Sequence, residues 1–259
     1  MSTWFAYHDR LTTRTTSPDL TLPVLGRPVQ HTGPVVETLS RGRRLGMWLG
    51  LAMVLVGVLM LGWVGWQFWG TNWLAHRAHD RTIESLRTQW TEGGTRLQPR
   101  FIPKGEASAL IRVPRFGKAY VVPVLEGVEP DVLSKGFGHF SDSADPGEVG
   151  NYALAAHRIT HGEPLRRMPD LRPGDQVIVE TVDASYVYRL DTDPEDLVIA
   201  FNGVWVLDAL PKNPEDGGPQ PPQKPGQRLI TLTTCSEIFH TDDRMIAFGH
   251  LVRAVKKEP

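Results

Sequence analysis

Cysteine is almost absent from this chain of 259 residues, which holds one, Cys235. A single thiol excludes an internal disulfide and a zinc site built from cysteines. Charge of one sign is also lacking. The net charge is −1 and there is no basic stripe, so no nucleic-acid partner is expected. No internal repeat is present. The longest absence is local: from Leu45 to Trp69 there is no charged residue at all.

That uncharged run, LGMWLGLAMVLVGVLMLGWVGWQFW, is long enough for a transmembrane helix, since about 20 residues cross the hydrocarbon core. It is too long, and starts too far into the chain, for a cleaved signal peptide. A buried core helix rarely goes so far without a polar face. Trp63, Trp66, Trp69 and Trp73 cluster at one end, as an interfacial aromatic belt does. Arg41, Arg43 and Arg44 abut the other end, which favours an N-terminus inside the cell, although Arg77, Arg81 and Arg87 reduce the contrast. The expected layout is a disordered cytoplasmic tail over 1–44, a membrane helix over 45–69, a juxtamembrane stalk and linker over 70–104, and an extracellular folded domain over 105–259.

In the stalk, TNWLAHRAHDRTIESLRTQW has helical spacing, with Ile83, Leu86 and Trp90 on one face and Gly93 and Gly94 as its stop. The folded domain reads as mostly β. Short strand-like runs recur: ALIRVPRF, AYVVPVLEG, GNYALAA, DQVIVETV, SYVYRLD, DLVIA, VWVLDAL, RLITLTTC and RMIAFGHLVRAV. DQVIVETV and SYVYRLD lie close enough to form a hairpin. This pattern indicates a sandwich or a barrel. The segment 211–227, PKNPEDGGPQPPQKPGQ, suits neither strand nor helix and is expected as a long loop beside the site.

Strand periodicity places Ile230 and Leu232 toward the core and Cys235 on the other face, at the strand end. A lone cysteine is often a small buried hydrophobe, but an unpaired thiol in an exported domain also reads as reactive. A thiol of ordinary pKa about 8.5 needs a cationic neighbour, a proton donor for the leaving group and an oxyanion donor. Arg244 opens the next strand, after the loop SEIFHTDD, and antiparallel pairing would bring it beside Cys235; it also reads as a surface arginine paired with Asp242 or Asp243. Among the histidines, His157 directly follows the strand NYALAA, as a catalytic side chain would; His250 reads as a satisfied mid-strand residue. His157 and His161 have i, i+4 spacing, but the HExxH glutamate and a third ligand are missing, so no metal is expected. Asp142, Asp145 and Glu148 lack a calcium-loop spacing.

With these residues assembled, the chain resembles a sortase, and most closely the actinobacterial class E. TLTTC at 231–235 matches the family's TLxTC; Arg244, NYALAAHR at 151–158 and LRPGDQVIVET follow the family's order. The resemblance covers roughly residues 105 to 255 and the single N-terminal anchor. Ala156 stands where many sortases have glycine before the histidine.

The resemblance implies a closed eight-stranded β-barrel with short helices, and no cofactor. It implies Cys235 as nucleophile, His157 as acid/base and Arg244 as stabiliser. The substrates implied are secreted proteins with an LAxTG or LPxTG sorting signal, cut between Thr and Gly and joined to a peptidoglycan amine. Tyr120 is a candidate pocket residue for the LAxTG preference, and Thr234 a candidate donor to substrate. Two other readings stay open: a cysteine peptidase, although its thiol usually sits at a helix start, and a membrane-anchored binding domain with an inert cysteine.

Overall fold

The computed structural model describes residues 41–91, 102–235 and 242–257, apart from the side chains of Arg41, Phe68, Thr71 and Cys235. The tail expected over 1–40, the helix stop at Gly93 and Gly94, most of the loop after Cys235, and that cysteine's side-chain direction lie outside the described residues.

Helix α1, Arg41–Gly65, contains the apolar stretch Gly42–Gly65 with mean hydropathy 2.2 and no burial. Among the described residues it is the one helix long and apolar enough to cross a membrane. Five residues of π-helix, Trp66–Gly70, lead into α2, Thr71–Thr91. Helix α2 belongs to the same compact unit as the β domain, Met53–Pro259. It buries Ala75, His79 and Leu86. Full burial of a leucine is worth about 1.5–3 kcal/mol, so α2 is held to that unit by a short apolar stripe.

The β domain contains β1 (Ala107–Arg112), β2 (Val122–Glu126), β3 (Phe137–His139), β4 (Gly150–Ala155), β5 (Gln176–Glu180), β6 (Ala184–Leu190), β7 (Val198–Ala200), β8 (Arg228–Cys235) and β9 (Asp243–Lys256). A four-residue helix, α3, spans Pro130–Leu133. Eight strands run in the order β6-β5-β1-β2-β3-β4-β8-β9, and pairing of β9 with β6 closes them into a barrel. The ninth, β7, adds to the start of β9. Pairs β2–β3 and β4–β8 are parallel and the rest antiparallel.

The length of β9 makes closure possible: its first half pairs with β8 and its second half with β6. The handover occurs at Gly249, where a Cβ would lie 2.7 Å from the Arg189 carbonyl oxygen. Only a residue without a side chain lets the two edges approach so closely. Inside, Ile111, Val124, Phe137, Tyr152, Leu154, Ile230 and Leu232 form part of one buried core. A smaller cluster, Leu197, Val206, Ile246 and Phe248, lies on the other face of β9.

The closed eight-stranded barrel expected from the resemblance is therefore present, and β5 and β6 form the hairpin read from the sequence. Two strand readings change. VWVLDAL is not a strand: Val204–Leu207 is a 3-10 turn that buries Val206, because the preceding Phe201-Asn202-Gly203 turn folds the chain back onto β9. Strand β3 has no sequence signal, since Phe-Gly-His is too short and too glycine-rich to show a period. In addition, the opposite face of β8 is as buried as its core face. Thr231 is fully buried there, and its hydroxyl donates to Asn151 Oδ1 at 2.7 Å.

Candidate active site

The parallel β4–β8 pair builds the site. Ala155 pairs with Thr233, and the Ala156 N–H donates to the Thr233 carbonyl at 3.1 Å, so both strands finish at one edge of the barrel. His157 lies two residues beyond Ala155, and Cys235 two residues beyond Thr233. Strand β9 starts from the same edge, with Arg244 as the ladder partner of Cys235. Three neighbouring strands thus bring the three sequence-identified residues to one place.

A groove of about 410 Å³ opens at that edge. His157, Thr233, Thr234 and Arg244 supply its polar lining. Val128, Leu133, Phe140, Ile199, Phe201, Val204 and Leu207 supply apolar walls. The walls come from β7 and the 3-10 turn after it, together with the α3 region. The Pro-rich loop 211–227, expected beside the site, contributes no described residue to this lining. It folds on itself instead: Asn213 Nδ2 donates to the Pro219 carbonyl and Gln223 to that of Pro211.

The half-buried ring of His157 stacks on that of His161, with centroids 4.8 Å apart and planes 29° apart. The i, i+4 spacing that the sequence shows thus brings the two rings face to face. Burial lowers the pKa of His161 below its ordinary value, so this ring is neutral at neutral pH. The His157 carbonyl accepts from the Leu165 N–H at 3.1 Å, which closes the intervening residues into a compact loop.

The Arg244 guanidinium donates to the Asp243 carbonyl at 3.0 Å and lies 4.9 Å above the ring of Phe201. Phe201 is 70% exposed; its contribution was not legible, because it lies in a turn with no strand pattern. Thr234 is buried and its hydroxyl donates to the Ala156 carbonyl at 2.8 Å, tying the ends of β4 and β8 together. Tyr120 does not line the groove among the described residues. Its hydroxyl donates to the Pro164 carbonyl at 2.6 Å, in the loop after His157, and its ring meets Phe116 edge-on. Burial pushes its phenol well above the ordinary value.

Three further histidines, His250, His139 and His79, have structural surroundings, and His76 is exposed on α2. His250 accompanies the Asp191 carboxylate at 2.7 Å, as a satisfied strand residue. His139 is buried against Glu126 at 2.9 Å. His79, on α2, is lowered by burial from 6.5 to about 4. No cluster of metal-ligating side chains occurs among the described residues.

An imidazole, a guanidinium and the end of the thiol-bearing strand, set at an apolar groove, supply the kinds of group that acyl transfer to a thiol needs. The family model for the sortase domain matches residues 111–252. The chain belongs to the sortase family. Sortase SrtE1 of Streptomyces coelicolor is 36% identical over 211 residues, covering 79% of this chain and 56% of that protein. The chain thus spans little more than half the length of that curated relative. Sortase E from Streptomyces avermitilis superposes with a TM-score of 0.52 at 34% identity, covering 60% of this chain and 93% of that one. Sortase E1 of Streptomyces coelicolor, solved with a tripeptide in its active site, gives a TM-score of 0.50 at 34% identity, over 59% of this chain and 91% of that one. These similarities place the chain with the class E sortases.

Proposed function

We propose that this chain is a membrane-anchored cysteine transpeptidase that attaches secreted proteins to the cell wall. Cys235 is its nucleophile, His157 its acid/base and Arg244 its oxyanion or backbone-binding donor. The observation that supports this reading is the strand register: the ends of β4 and β8 and the start of β9 meet at one edge of the barrel, beside a groove lined by His157, Thr234 and Arg244.

The reaction follows from these groups. A Cys235 thiolate, favoured by the nearby cations, attacks the carbonyl carbon between Thr and Gly of a sorting signal. Arg244 stabilises the oxygen that becomes negative. Protonated His157 gives its proton to the departing amine as the C–N bond breaks, which leaves a thioester. An amine of a peptidoglycan precursor then attacks, the C–S bond breaks, and His157 regains the proton. Thiolate and imidazolium are restored together. No cofactor or metal enters these steps.

The substrate is an LAxTG signal, with LPxTG as the second choice. The apolar groove suits the aliphatic residues that begin either motif, and the likeness to class E supports the first. The sortase E1 relative holds a tripeptide in its active site, which is in keeping with a peptide substrate here. Residues 45–69 cross the membrane with residues 1–44 inside, residues 70–104 link, and residues 105–259 act outside; the arginines before α1 support that orientation.

The test uses the full chain in detergent micelles with an LAxTG peptide, an LPxTG peptide and an amine acceptor, followed by mass spectrometry. Cleavage after Thr with transfer to the amine, lost in Cys235→Ala, is the expected result. Hydrolysis alone in the presence of amine would replace transpeptidation with a peptidase reading. No product and a thiol slow to alkylate would point to an inert cysteine.

A further inference from the structure

The loop that follows His157 is held in a costly conformation. His161, Gly162 and Glu163 lie in succession at φ 53, 83 and 51°. Non-glycine residues enter this left-handed region at a cost of order 1 kcal/mol each, and persist there only when their surroundings impose it. Here the constraint comes from a helix about 90 residues earlier. Asn72, near the start of α2, accepts the Gly162 N–H on Oδ1 at 2.9 Å and donates from Nδ2 to Glu163 Oε1 at 2.6 Å. One side chain thus grips two consecutive residues of the turn. The other oxygen of Glu163 pairs with Arg166. Gly162 rests on α2 itself: a Cβ there would meet His79 Cε1 at 2.8 Å and Ala75 Cβ at 3.3 Å.

This turn sets the His161 ring on that of His157. Thr160 Oγ1, 3.0 Å from His161 Nδ1, fixes the rotation of the supporting ring. His157 stands two residues beyond the end of β4, and its ring faces that of His161. We propose that His161 is a positioning residue for His157, and that α2, through Asn72, holds His161 in place. The helix that follows the apolar segment is then part of the scaffold of the active site. A neutral ring is suited to this task, since it can face a protonated imidazole without charge repulsion.

The inference rests on His157 being the acid/base. Its effect belongs to the chemical step, because His161 holds an orientation and does not bind peptide. Misplacement of a catalytic group by about 1 Å can cost on the order of 100-fold in rate.

The experiment measures steady-state transfer of an LAxTG peptide to an amine by the full chain in micelles. His161→Ala is expected to lower kcat about tenfold or more with KM nearly unchanged. His161→Phe, which restores a flat ring, is expected to recover most of that loss. Asn72→Ala is expected to lower kcat similarly, and the Asn72→Ala/His161→Ala double variant to be no slower than His161→Ala alone, because both losses run through the same ring. Where the alanine variant does not fold, His161→Gln replaces it, with similar reach and no ring. A ring-less variant with kcat unchanged, a phenylalanine variant as slow as alanine, or losses that multiply would each overturn the inference. Cys235→Ala and His157→Ala run alongside. If either stays active, the catalytic reading itself fails. If both are inactive while a ring-less variant keeps full kcat, only the positioning role fails.

Discussion

Cys235 and Arg244 are partners in the β8–β9 ladder, the last pair at the edge where β4 also ends. Nine residues apart in sequence, they are set opposite each other by the hairpin. Removing the arginine should therefore act on catalysis more than on folding. Arg244→Ala is expected to cost about 100- to 1,000-fold in kcat, the usual loss for a deleted oxyanion donor. Arg244→Lys should restore only part, because an ammonium lacks the planar fork. Steady-state kinetics and thermal melts together check this. A variant with normal kcat would remove Arg244 from the mechanism.

Phe201 supports that guanidinium from below. An exposed cation–π contact contributes about 0.5–1 kcal/mol. Phe201→Ala should accordingly lower kcat/KM by about two- to fivefold, and Phe201→Tyr should leave it near the parent value.

Thr234 joins the two strand ends through its bond to the Ala156 carbonyl. Thr234→Val keeps the shape and removes the donor, leaving a buried carbonyl short of a partner. The expected loss of stability is about 1–3 kcal/mol, measured by denaturant unfolding. A fall in kcat should accompany it, since Ala156 immediately precedes His157.

The closing seam of the barrel depends on Gly249. Gly249→Ala puts a methyl group against the Arg189 carbonyl, and overpacking of this kind costs about 1–3 kcal/mol. Unfolding midpoints should fall by a corresponding amount, with Ala substitution at an exposed strand position as control.

His79 gives the α2 contact a pH dependence. Its folded pKa, about 4, lies below its ordinary 6.5, so the unfolded or undocked state binds the proton more readily. The stabilisation is complete above pH 6.5 and falls as pH drops toward 4, by about 3 kcal/mol at the limit. Amide exchange across residues 71–91 should quicken over that window. His79→Leu should abolish the change; an unaltered pH response in that variant would count against this cause.

Much of the site was legible because it is a matter of strand order and period. TLTTC, the histidine after NYALAA and the arginine heading β9 each carry a local signal. Alternation in RLITLTTC correctly placed Ile230 and Leu232 in the core. The burial of Thr231 on the other face was not legible, because the layer above β8 is made by a 3-10 turn that resembled a strand. Position in the sequence predicts loops 211–227 and 236–243 beside the groove, and it gives no sign that residues 199–207 form a wall. The resemblance points to Tyr120, and adjacency to Cys235 points to Thr234; the partners of their hydroxyls, Pro164 and Ala156, follow from packing alone.

The sequence by itself determined the uncharged helix, the β-rich domain, the one thiol and the order of the residues around it, since these depend on composition and on local periodicity. Only the tertiary structure decided that β4 and β8 run parallel to a common edge, that Phe201 lies beneath Arg244, and that Asn72 holds the turn carrying His161. Those contacts join residues up to about 90 positions apart, and no local pattern encodes them. They exist because barrel closure and the docking of α2 bring distant segments together, where half-buried backbone groups such as the Gly162 N–H must find a partner.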